Sequence, residues 1–211
     1  CPDVANPSRP PVQKISSAPR LDETLRKKRV AVLISGRGSN MAALVRASKE
    51  PDFPAEIVLV LSNKASAAGL AFAESEGIAT AVISHRKYVD RESFDLAMTV
   101  KLEQAEVDFV CLAGFMRLLS PAFCKQWDGR LINVHPALLP SFKGLDTHAR
   151  AIAAGVKIHG ATVHFVAPEV DDGPIIAQAA VPVLDSDTEE TLAARVLAQE
   201  HRIYPLALNL V

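Results

Sequence analysis

The chain has 211 residues, of which 23 are Lys or Arg and 24 are Asp or Glu, so its formal net charge is −1. This balance excludes the bulk positive field typical of proteins that bind nucleic acids or acidic membranes, and we expect small molecules as partners. The three cysteines show no metal-binding or redox spacing, and no apolar run reaches the ~18 residues of a membrane span, so we expect a cytoplasmic protein.

The first 28 residues contain five prolines scattered among polar residues and show no periodicity. Such a segment buries little apolar surface, so a disordered extension is predicted over 1–28. Residues 29–211 have a length typical of one domain and contain no fixed repeat. A single domain is therefore predicted over 29–211.

From Arg29 onward, short β-branched apolar runs alternate with helix-like segments. The first five predicted strands lie at 29–34, 56–62, 80–84, 108–113 and 130–134. The predicted helices between them lie near 41–48, 67–75, 91–104 and 121–126. Strands that are apolar on both faces and are followed by helices indicate a parallel sheet covered on both sides. The predicted fold class is α/β, an open, mostly parallel twisted sheet with helices on both faces.

After Pro140 the pattern becomes less regular. A helix is predicted over 147–154, and two strands follow at 162–166 and 175–183. A final helix is predicted from Asp187 or Thr188 to about Ile203, because Thr188 and Thr191 allow N-capping. We expect Pro205 to end this helix.

A glycine-rich turn, SGRGSN over 35–40, joins the first predicted strand to the first predicted helix. Its glycines permit a tight turn, and the helix N-terminus supplies N–H donors to an anion. A dinucleotide site is less favoured, because Met41 stands where a third glycine belongs and Ser62 and Asn63 stand where an acid belongs. The pattern favours a monophosphate site, with a purely structural turn as the alternative.

The segment INVHPALLP over 132–140 ends the fifth predicted strand, where open α/β sheets bind their ligands. Asn133 and His135 are two residues apart, so in an extended chain both side chains leave the sheet on one side. An amide beside an imidazole suits an oxyanion donor next to a general acid or base, although a lone histidine is more often structural. We predict that this pair is catalytic.

A third segment, over 159–176, carries His164 on a predicted strand and then Glu169, Asp171 and Asp172 in a loop. A carboxylate that reaches an imidazole favours the protonated ring and fixes its tautomer, which makes a usable proton donor. The alternative for these acids is a solvated turn, which the Asp-Gly pair alone would indicate.

Three further features have ordinary structural interpretations. The segment AGFMRLLS could be the entry to a helix with Phe115 and Leu118 in the core. Glu200 and His201 on the last predicted helix would then be surface residues, and Cys111 in an apolar strand would be an inert core residue.

In combination, these segments resemble the glycinamide ribonucleotide transformylase family, the folate-dependent phosphoribosylglycinamide formyltransferases. The resemblance covers 29–211 in order, through LISGRGSN, LSNKA, GIAT, AGFMRLLSP, INVHPALLP, GLDTH, HGATVHFV, EVDDGPII and QEHRIYP. It implies a formyltransferase fold with a Rossmann-like N-terminal half. Residues 29–128 would form the phosphate-binding half, and 129–211 would form the catalytic and folate-binding half.

The resemblance also implies a reaction. The formyl group of 10-formyltetrahydrofolate, a co-substrate, would be transferred to the amine of glycinamide ribonucleotide in de novo purine (IMP) biosynthesis. The products would be formylglycinamide ribonucleotide and tetrahydrofolate. Both partners are small molecules, and the enzyme would need no metal, nucleic acid or membrane and would act as a monomer or a homodimer.

The resemblance further implies which residues contact each substrate. The implied ribonucleotide contacts are Gly38, Ser39 and Asn40 at the phosphate, and Leu197 and Glu200 on the last helix. The implied folate contacts, many of them through backbone groups, are Arg91, Met116, Arg117, Leu118, Leu119, Asn133, Ala167, Pro168, Glu169, Val170 and Asp171.

Asn133, His135 and Asp171 match the family's catalytic trio. By this resemblance, Asn133 and protonated His135 would donate to the formyl oxygen, and Asp171 would favour the protonated ring and help relay the amine proton. Thr162 and His164 would line and order the site.

Two positions depart from the family's pattern. Leu197 stands where relatives often have Lys or Gln near the phosphate, so only its backbone role carries over. Asp146 stands in GLDTH where others have His.

Three other functions fit parts of the sequence. A formyltetrahydrofolate deformylase shares the trio but delivers the formyl group to water, and it has an N-terminal regulatory domain that 28 residues are too few to build. A methionyl-tRNA formyltransferase has a basic C-terminal domain, which we do not expect in a chain with a net charge of −1. A non-catalytic nucleotide or folate sensor would keep the pocket, but the presence of the complete trio argues against it.

Overall fold

The computed structural model describes residues 26–211, in which seven strands form one sheet. The strands are β1 (Lys28–Ile34), β2 (Ala55–Ser62), β3 (Ala79–Val82), β4 (Phe109–Leu112), β5 (Leu131–His135), β6 (Ile158–Phe165) and β7 (Ile175–Pro182). All seven correspond to predicted strands. Of the extension predicted over 1–28, residues 1–25 lie outside the described residues, and Lys28 already belongs to β1.

The helices of the described chain cover this sheet. They are α1 (Ser39–Ser48), α2 (Ala68–Ser75), α3 (Arg91–Gln104), α4 (Pro121–Gln126), α5 (Thr147–Ala154) and α6 (Glu189–Leu210), with a 3₁₀ turn at His85–Lys87. The predicted cap of α6 is confirmed, because Thr188 and Thr191 each accept the other's backbone N–H through the side-chain hydroxyl. Within 26–211 none of the helices combines the length and the apolar character that crossing a bilayer requires.

The sheet is mostly parallel, as the apolar runs predict. Its strand order is β3-β2-β1-β4-β5-β6-β7. The strands β1 to β5 pair in parallel, whereas β6 is antiparallel to both β5 and β7. The loop over 166–174 that joins β6 to β7 is shorter than the dozen or so residues of a parallel crossover, so these two strands pair antiparallel. The predicted fold class is confirmed.

Strand β1 lies in the interior of the sheet, between β2 and β4, and is buried on both faces. Val30, Val32 and Ile34 pack in the cluster that contains α1 and α6, whereas Ala31 and Leu33 pack in the cluster that contains α3 and α4. This explains the unbroken apolar run of β1. Because β2 and β4 flank β1, the loops after β1 and β4 diverge at the carboxyl edge, where open α/β sheets form a ligand crevice.

The predicted start of β6 at Thr162 is wrong, since the strand begins at Ile158. Its first residues pair with β7, from Ile158 opposite Pro182 to Ala161 opposite Ala179. Gly160 suggests a turn in the sequence, but it serves a close approach of two strands. A Cβ at Gly160 would lie 2.0 Å from the carbonyl oxygen of Ala179.

The prediction that Pro205 ends the last helix is also wrong, because α6 continues to Leu210. A proline inside a helix removes one backbone hydrogen bond and costs about 3 kcal/mol. Tyr204 and Leu208 lie on either side of it and are buried in the core. Burying a large apolar side chain contributes about 1.5–3 kcal/mol, so the packing of this helix end offsets the proline.

Candidate active site

A cleft of ≈ 770 Å³ lies at the carboxyl ends of the parallel strands. The loops after β4, β5 and β6 form its walls together with the start of α1 and part of α6. The predicted site residues that line it are Asn40, Met116, Arg117, Leu118, Leu119, Asn133, His135, His164, Ala167, Pro168, Glu169, Val170, Asp171 and Glu200. The fold therefore brings together residues from segments that are far apart in the sequence.

The loop after β1 leaves backbone N–H groups free at the start of α1. Gly38 is the N-cap of this helix, its φ is 70°, and no side chain of residues 26–211 caps this end. A Cβ at Gly38 would lie 2.9 Å from Cε of Met41, and L side chains rarely adopt this conformation, so the turn favours glycine. The free N–H groups at a helix N-terminus attract anions. The geometry thus suits the predicted phosphate site.

Asn40 at the start of α1 and Glu200 on α6 connect these two helices inside the cleft. Asn40 donates from Nδ2 to Oε1 of Glu200 at 3.2 Å. Burial raises the pKa of Glu200, which is only 7% exposed, so the alternative that it is a surface residue is wrong. Oδ1 of Asn40 is buried without a hydrogen-bond partner among residues 26–211. It is an acceptor that can serve a ligand.

Asn133 on β5 and His164 on β6 are directly opposite each other in the sheet. Nδ1 of His164 lies 2.8 Å from the carbonyl oxygen of Phe165, which can only accept, so this nitrogen carries the proton. Asn133 then donates from Nδ2 to Nε2 of His164 at 3.4 Å. Burial lowers the pKa of His164, in agreement with a neutral ring.

His135 at the end of β5 lies beside Asp171. Its Nδ1 is 3.5 Å from Oδ2 of Asp171, and both side chains are largely buried. Its Nε2 donates to the carbonyl oxygen of Phe142 at 2.8 Å. Because Nε2 is hydrogen-bonded to the carbonyl oxygen of Phe142, only Nδ1, which faces the carboxylate, remains available for chemistry. Asp171 also lies near His164, with Oδ1 3.8 Å from Nε2, so the predicted trio forms one cluster.

The loop over 166–174 holds Asp171 in place. Asp171 has a φ of 54°, in the left-handed region. A Cβ at Gly173 would stand 1.7 Å from the carbonyl oxygen of Phe165, so only glycine fits there. Lys143, in the loop after β5, also forms a solvent-exposed ion pair with Asp172. The alternative of a solvated turn is therefore wrong for Asp171.

The segment AGFMRLLS is a loop that leads into α4, with Ser120 as the N-cap; Phe115 packs against the core as the structural interpretation expected, whereas Leu118 does not. The backbone N–H of Met116 donates to Oγ of Ser35 at 2.8 Å, and Ser35 donates to Oδ1 of Asn63 at 2.6 Å. At the other end, the N–H of Ser120 donates to the buried carboxylate of Asp95 at 2.6 Å. These supporting residues were not predicted from the sequence, although Ser35 lies in the SGRGSN motif and Asn63 in the LSNKA motif.

Two apolar side chains of this loop are exposed along the cleft. Met116 is 59% exposed and Leu118 is 57% exposed, so neither belongs to the core. Exposed apolar groups that line a cleft are typical of a surface that binds an apolar part of a ligand.

Five predicted site residues do not line the cleft. Gly38 and Ser39 lie at the start of α1, Arg91 is exposed at the first residue of α3, and Leu197 is half-buried in α6. Thr162 is completely buried behind the wall.

Thr162 supports the loop that follows His135. Its Oγ1 donates to the carbonyl oxygen of Ala137 at 2.7 Å and accepts the backbone N–H of Leu139 at 3.1 Å. Thr162 therefore orders the site from behind and does not face a substrate.

The cleft and its supporting strands lie in a region that matches a known protein family. Residues 28–208 match the model described as formyl transferase, so the chain belongs to the formyl transferase family. The resemblance inferred from the sequence motifs is confirmed.

Several relatives have specific names. The phosphoribosylglycinamide formyltransferase of Escherichia coli (strain K12) is 46% identical over 180 residues, which are 85% of each chain. The trifunctional purine biosynthetic protein adenosine-3 of Bos taurus is 55% identical over 186 residues, which are 88% of this chain but 18% of that relative. A crystal structure of phosphoribosylglycinamide formyltransferase from Brucella melitensis shares 56% identity and a TM-score of 0.84, covering 87% of this chain and 95% of that chain.

Proposed function

We propose that this chain transfers the formyl group of 10-formyltetrahydrofolate to the amine of glycinamide ribonucleotide in de novo purine biosynthesis. The observation that carries the proposal is the cluster of Asn133, His135 and Asp171 on the wall of a cleft that Asn40 and Glu200 also line. Asn40 belongs to the first turn of α1, so the cleft lies beside a helix N-terminus that suits an anion, and it also contains a proton-transfer group. That combination suits a phosphate-bearing substrate that reacts at an amine.

The cleft also fits a folate co-substrate. Met116 and Leu118 present apolar surface, and they lie in a loop whose backbone groups belong to no helix or strand. Arg117 lies on the same wall and supplies a positive charge for a carboxylate. A flat heterocycle with an acidic tail needs these three features.

In such a transfer the substrate amine attacks the formyl carbon, negative charge develops on the formyl oxygen, and the amine loses a proton. Asn133 has a second N–H beyond the one given to His164, and this N–H can stabilise the oxygen. One such donor is worth about 2.7–4 kcal/mol in a preorganised site. His135, when protonated, donates from Nδ1 to the same oxygen.

Asp171 has two roles in this scheme. Its Oδ2 atom stabilises the positive charge of a protonated His135 ring 3.5 Å away. Its carboxylate can also accept the proton that the amine loses, directly or through water, and that proton is finally delivered to the nitrogen that gives up the formyl group. Holding both substrates in one cleft adds the positioning contribution.

The test is an absorbance assay of 10-formyltetrahydrofolate conversion by the purified protein, with and without glycinamide ribonucleotide. Conversion that depends on the ribonucleotide supports the proposal. Conversion without it contradicts the proposal and indicates a deformylase, and binding without conversion indicates a sensor. The cytoplasmic location, the oligomeric state, the two halves of the domain and the lack of a metal requirement stay predictions.

A further inference from the structure

The loop after β5 holds both His135 and Asp171 through its backbone. The Phe142 carbonyl accepts from Nε2 of His135, and the Gly144 N–H donates to Oδ2 of Asp171, each at 2.8 Å. These two backbone groups are close in the chain, so the distance between the imidazole and the carboxylate depends on the conformation of this loop. Whatever fixes this loop therefore fixes the geometry of the pair.

Arg150 on α5 fixes the loop by three contacts. Its Nη1 donates to the carbonyl oxygen of Lys143 at 2.6 Å and to that of Leu145 at 3.1 Å. Its guanidinium lies over the ring of Phe142, 5.6 Å from the ring centroid. A planar guanidinium can hold several partners in one rigid geometry, which a lysine cannot reproduce. Arg150 thus contacts the loop on both sides of Gly144.

One of these contacts acts on Asp171 through a single peptide group. The Lys143 carbonyl and the Gly144 N–H belong to the same peptide bond. Arg150 donates to the oxygen of this peptide, and the N–H of the same peptide donates to the carboxylate of Asp171. Hydrogen bonds arranged in such a chain polarise one another, so a cationic donor at the oxygen strengthens the N–H as a donor.

We propose that Arg150 is a positioning residue for the reaction, acting on Asp171 through the Lys143–Gly144 peptide and on His135 through Phe142. The inference rests on the proposed function, in which these two residues carry the proton transfer. Arg150 does not line the cleft, so it acts on turnover and not on the binding of either substrate. Arg150 would thus determine how well the bound substrates react.

Arg130 provides a matched control. Its Nη2 donates to the carbonyl oxygen of Gln126 at 2.9 Å, and its guanidinium lies 4.7 Å from the ring centroid of Trp127. These are the same kinds of contact that Arg150 makes. Arg130 immediately precedes β5, however, and so lies at the opposite end of this strand from His135. A variant at Arg130 loses similar interactions without disturbing the loop.

The test is steady-state kinetics of the wild type and the variants R150A, R150K and R130A. R150A should lower kcat about tenfold or more, because small misplacements of reacting groups are costly, and should leave both KM values within about twofold. R150K should recover part of kcat, and R130A should keep the wild-type value. A kcat of R150A within about twofold of the wild type, or an equal loss in R130A, would overturn the proposal.

A second measurement needs no substrate. Hydrogen exchange of the Gly144 amide, followed by NMR, should be at least about tenfold faster in R150A than in the wild type and unchanged in R130A. A wild type without transferase activity would overturn the proposed function, yet this exchange would still decide whether Arg150 holds the loop. Equal Gly144 exchange in the wild type and R150A would overturn the role of Arg150.

Discussion

Nε2 of His164 accepts a hydrogen bond from Nδ2 of Asn133, and this contact fixes which way the Asn133 amide points. The ring itself cannot turn over, because its Nδ1 proton is held by the carbonyl oxygen of Phe165. With Nδ2 at the ring, the second amide N–H remains as a donor for the reaction. In the proposed mechanism, His164 would therefore set the direction of the Asn133 donor without transferring a proton.

Replacing His164 tests this relationship. His164→Leu removes the acceptor at similar volume, so the amide of Asn133 can flip, and we expect kcat to fall about tenfold with KM nearly unchanged. His164→Gln retains an acceptor and should recover part of the loss. Steady-state kinetics measure both effects, and equal kcat values for His164→Leu and the wild type would contradict the role.

Asp171→Asn removes the negative charge next to His135 while keeping the side chain's size. We expect kcat to fall about 10²- to 10⁴-fold, because the positioned proton acceptor is lost. Asp172→Asn is the control: its ion pair with Lys143 is solvent-exposed, and such pairs contribute about 0–1 kcal/mol, so most turnover should remain. Single-turnover rates separate this effect from binding. Near-normal turnover in Asp171→Asn would remove this residue from the chemistry.

Asn40→Asp places a second carboxyl group against Glu200 and should weaken ribonucleotide binding. The wild-type Asn40 donates to Glu200 at 3.2 Å, whereas an aspartate there would face it as a like charge or a competing acceptor. We expect the KM for glycinamide ribonucleotide to rise about tenfold or more, and the KM for the folate to stay unchanged. Asn40→Ala, which loses the bond without adding charge, should show a smaller rise. Equal ribonucleotide KM values in Asn40→Asp and the wild type would argue against this assignment.

The stability of the protein should depend on pH through His159. Burial, together with the nearby His148 and His135, lowers the pKa of His159 from 6.5 to about 4. The folded state then binds this proton less readily than the unfolded chain does, so the stability from His159 is complete above pH 6.5 and decreases as pH falls toward 4. By pH 4 the decrease amounts to about 3 kcal/mol.

The variant His159→Gln lacks this titration, so its free energy of unfolding should fall less steeply than that of the wild type over this pH range. Urea unfolding at several pH values between 7 and 4 measures both curves. Parallel curves for the two proteins would show that His159 does not contribute.

The sequence predicted the strands well because each is a short apolar run, and burial on both faces leaves a strong local signal. It predicted the location of Asn133 and His135 for a similar reason, because both residues lie near the carboxyl end of a strand that its apolar run identifies. The start of β6 and the course of α6 were mispredicted, because Gly160 and Pro205 carry local signals that tertiary packing overrides.

The contacts that hold the site were not visible in the sequence. Ser35 reaches the backbone of Met116, and Arg150 reaches the loop that holds Asp171, through hydrogen bonds that no local periodicity encodes. Thr162 was expected to line the cleft, but its hydroxyl is hydrogen-bonded to the backbone of Ala137 and Leu139, in the loop that follows His135. Such roles depend on the three-dimensional path of the loops.

The close approach at Gly173 limits how the specificity of this cleft can be engineered. Because the backbone there touches the end of β6, the loop over 166–174 is anchored at a point that tolerates no side chain. Its cleft-lining part, from Ala167 to Val170, is free of this restriction. A mutant library that aims at a different one-carbon donor can therefore vary 167–170 in sequence, but it must keep the loop length and the glycine so that Asp171 stays in register with His135.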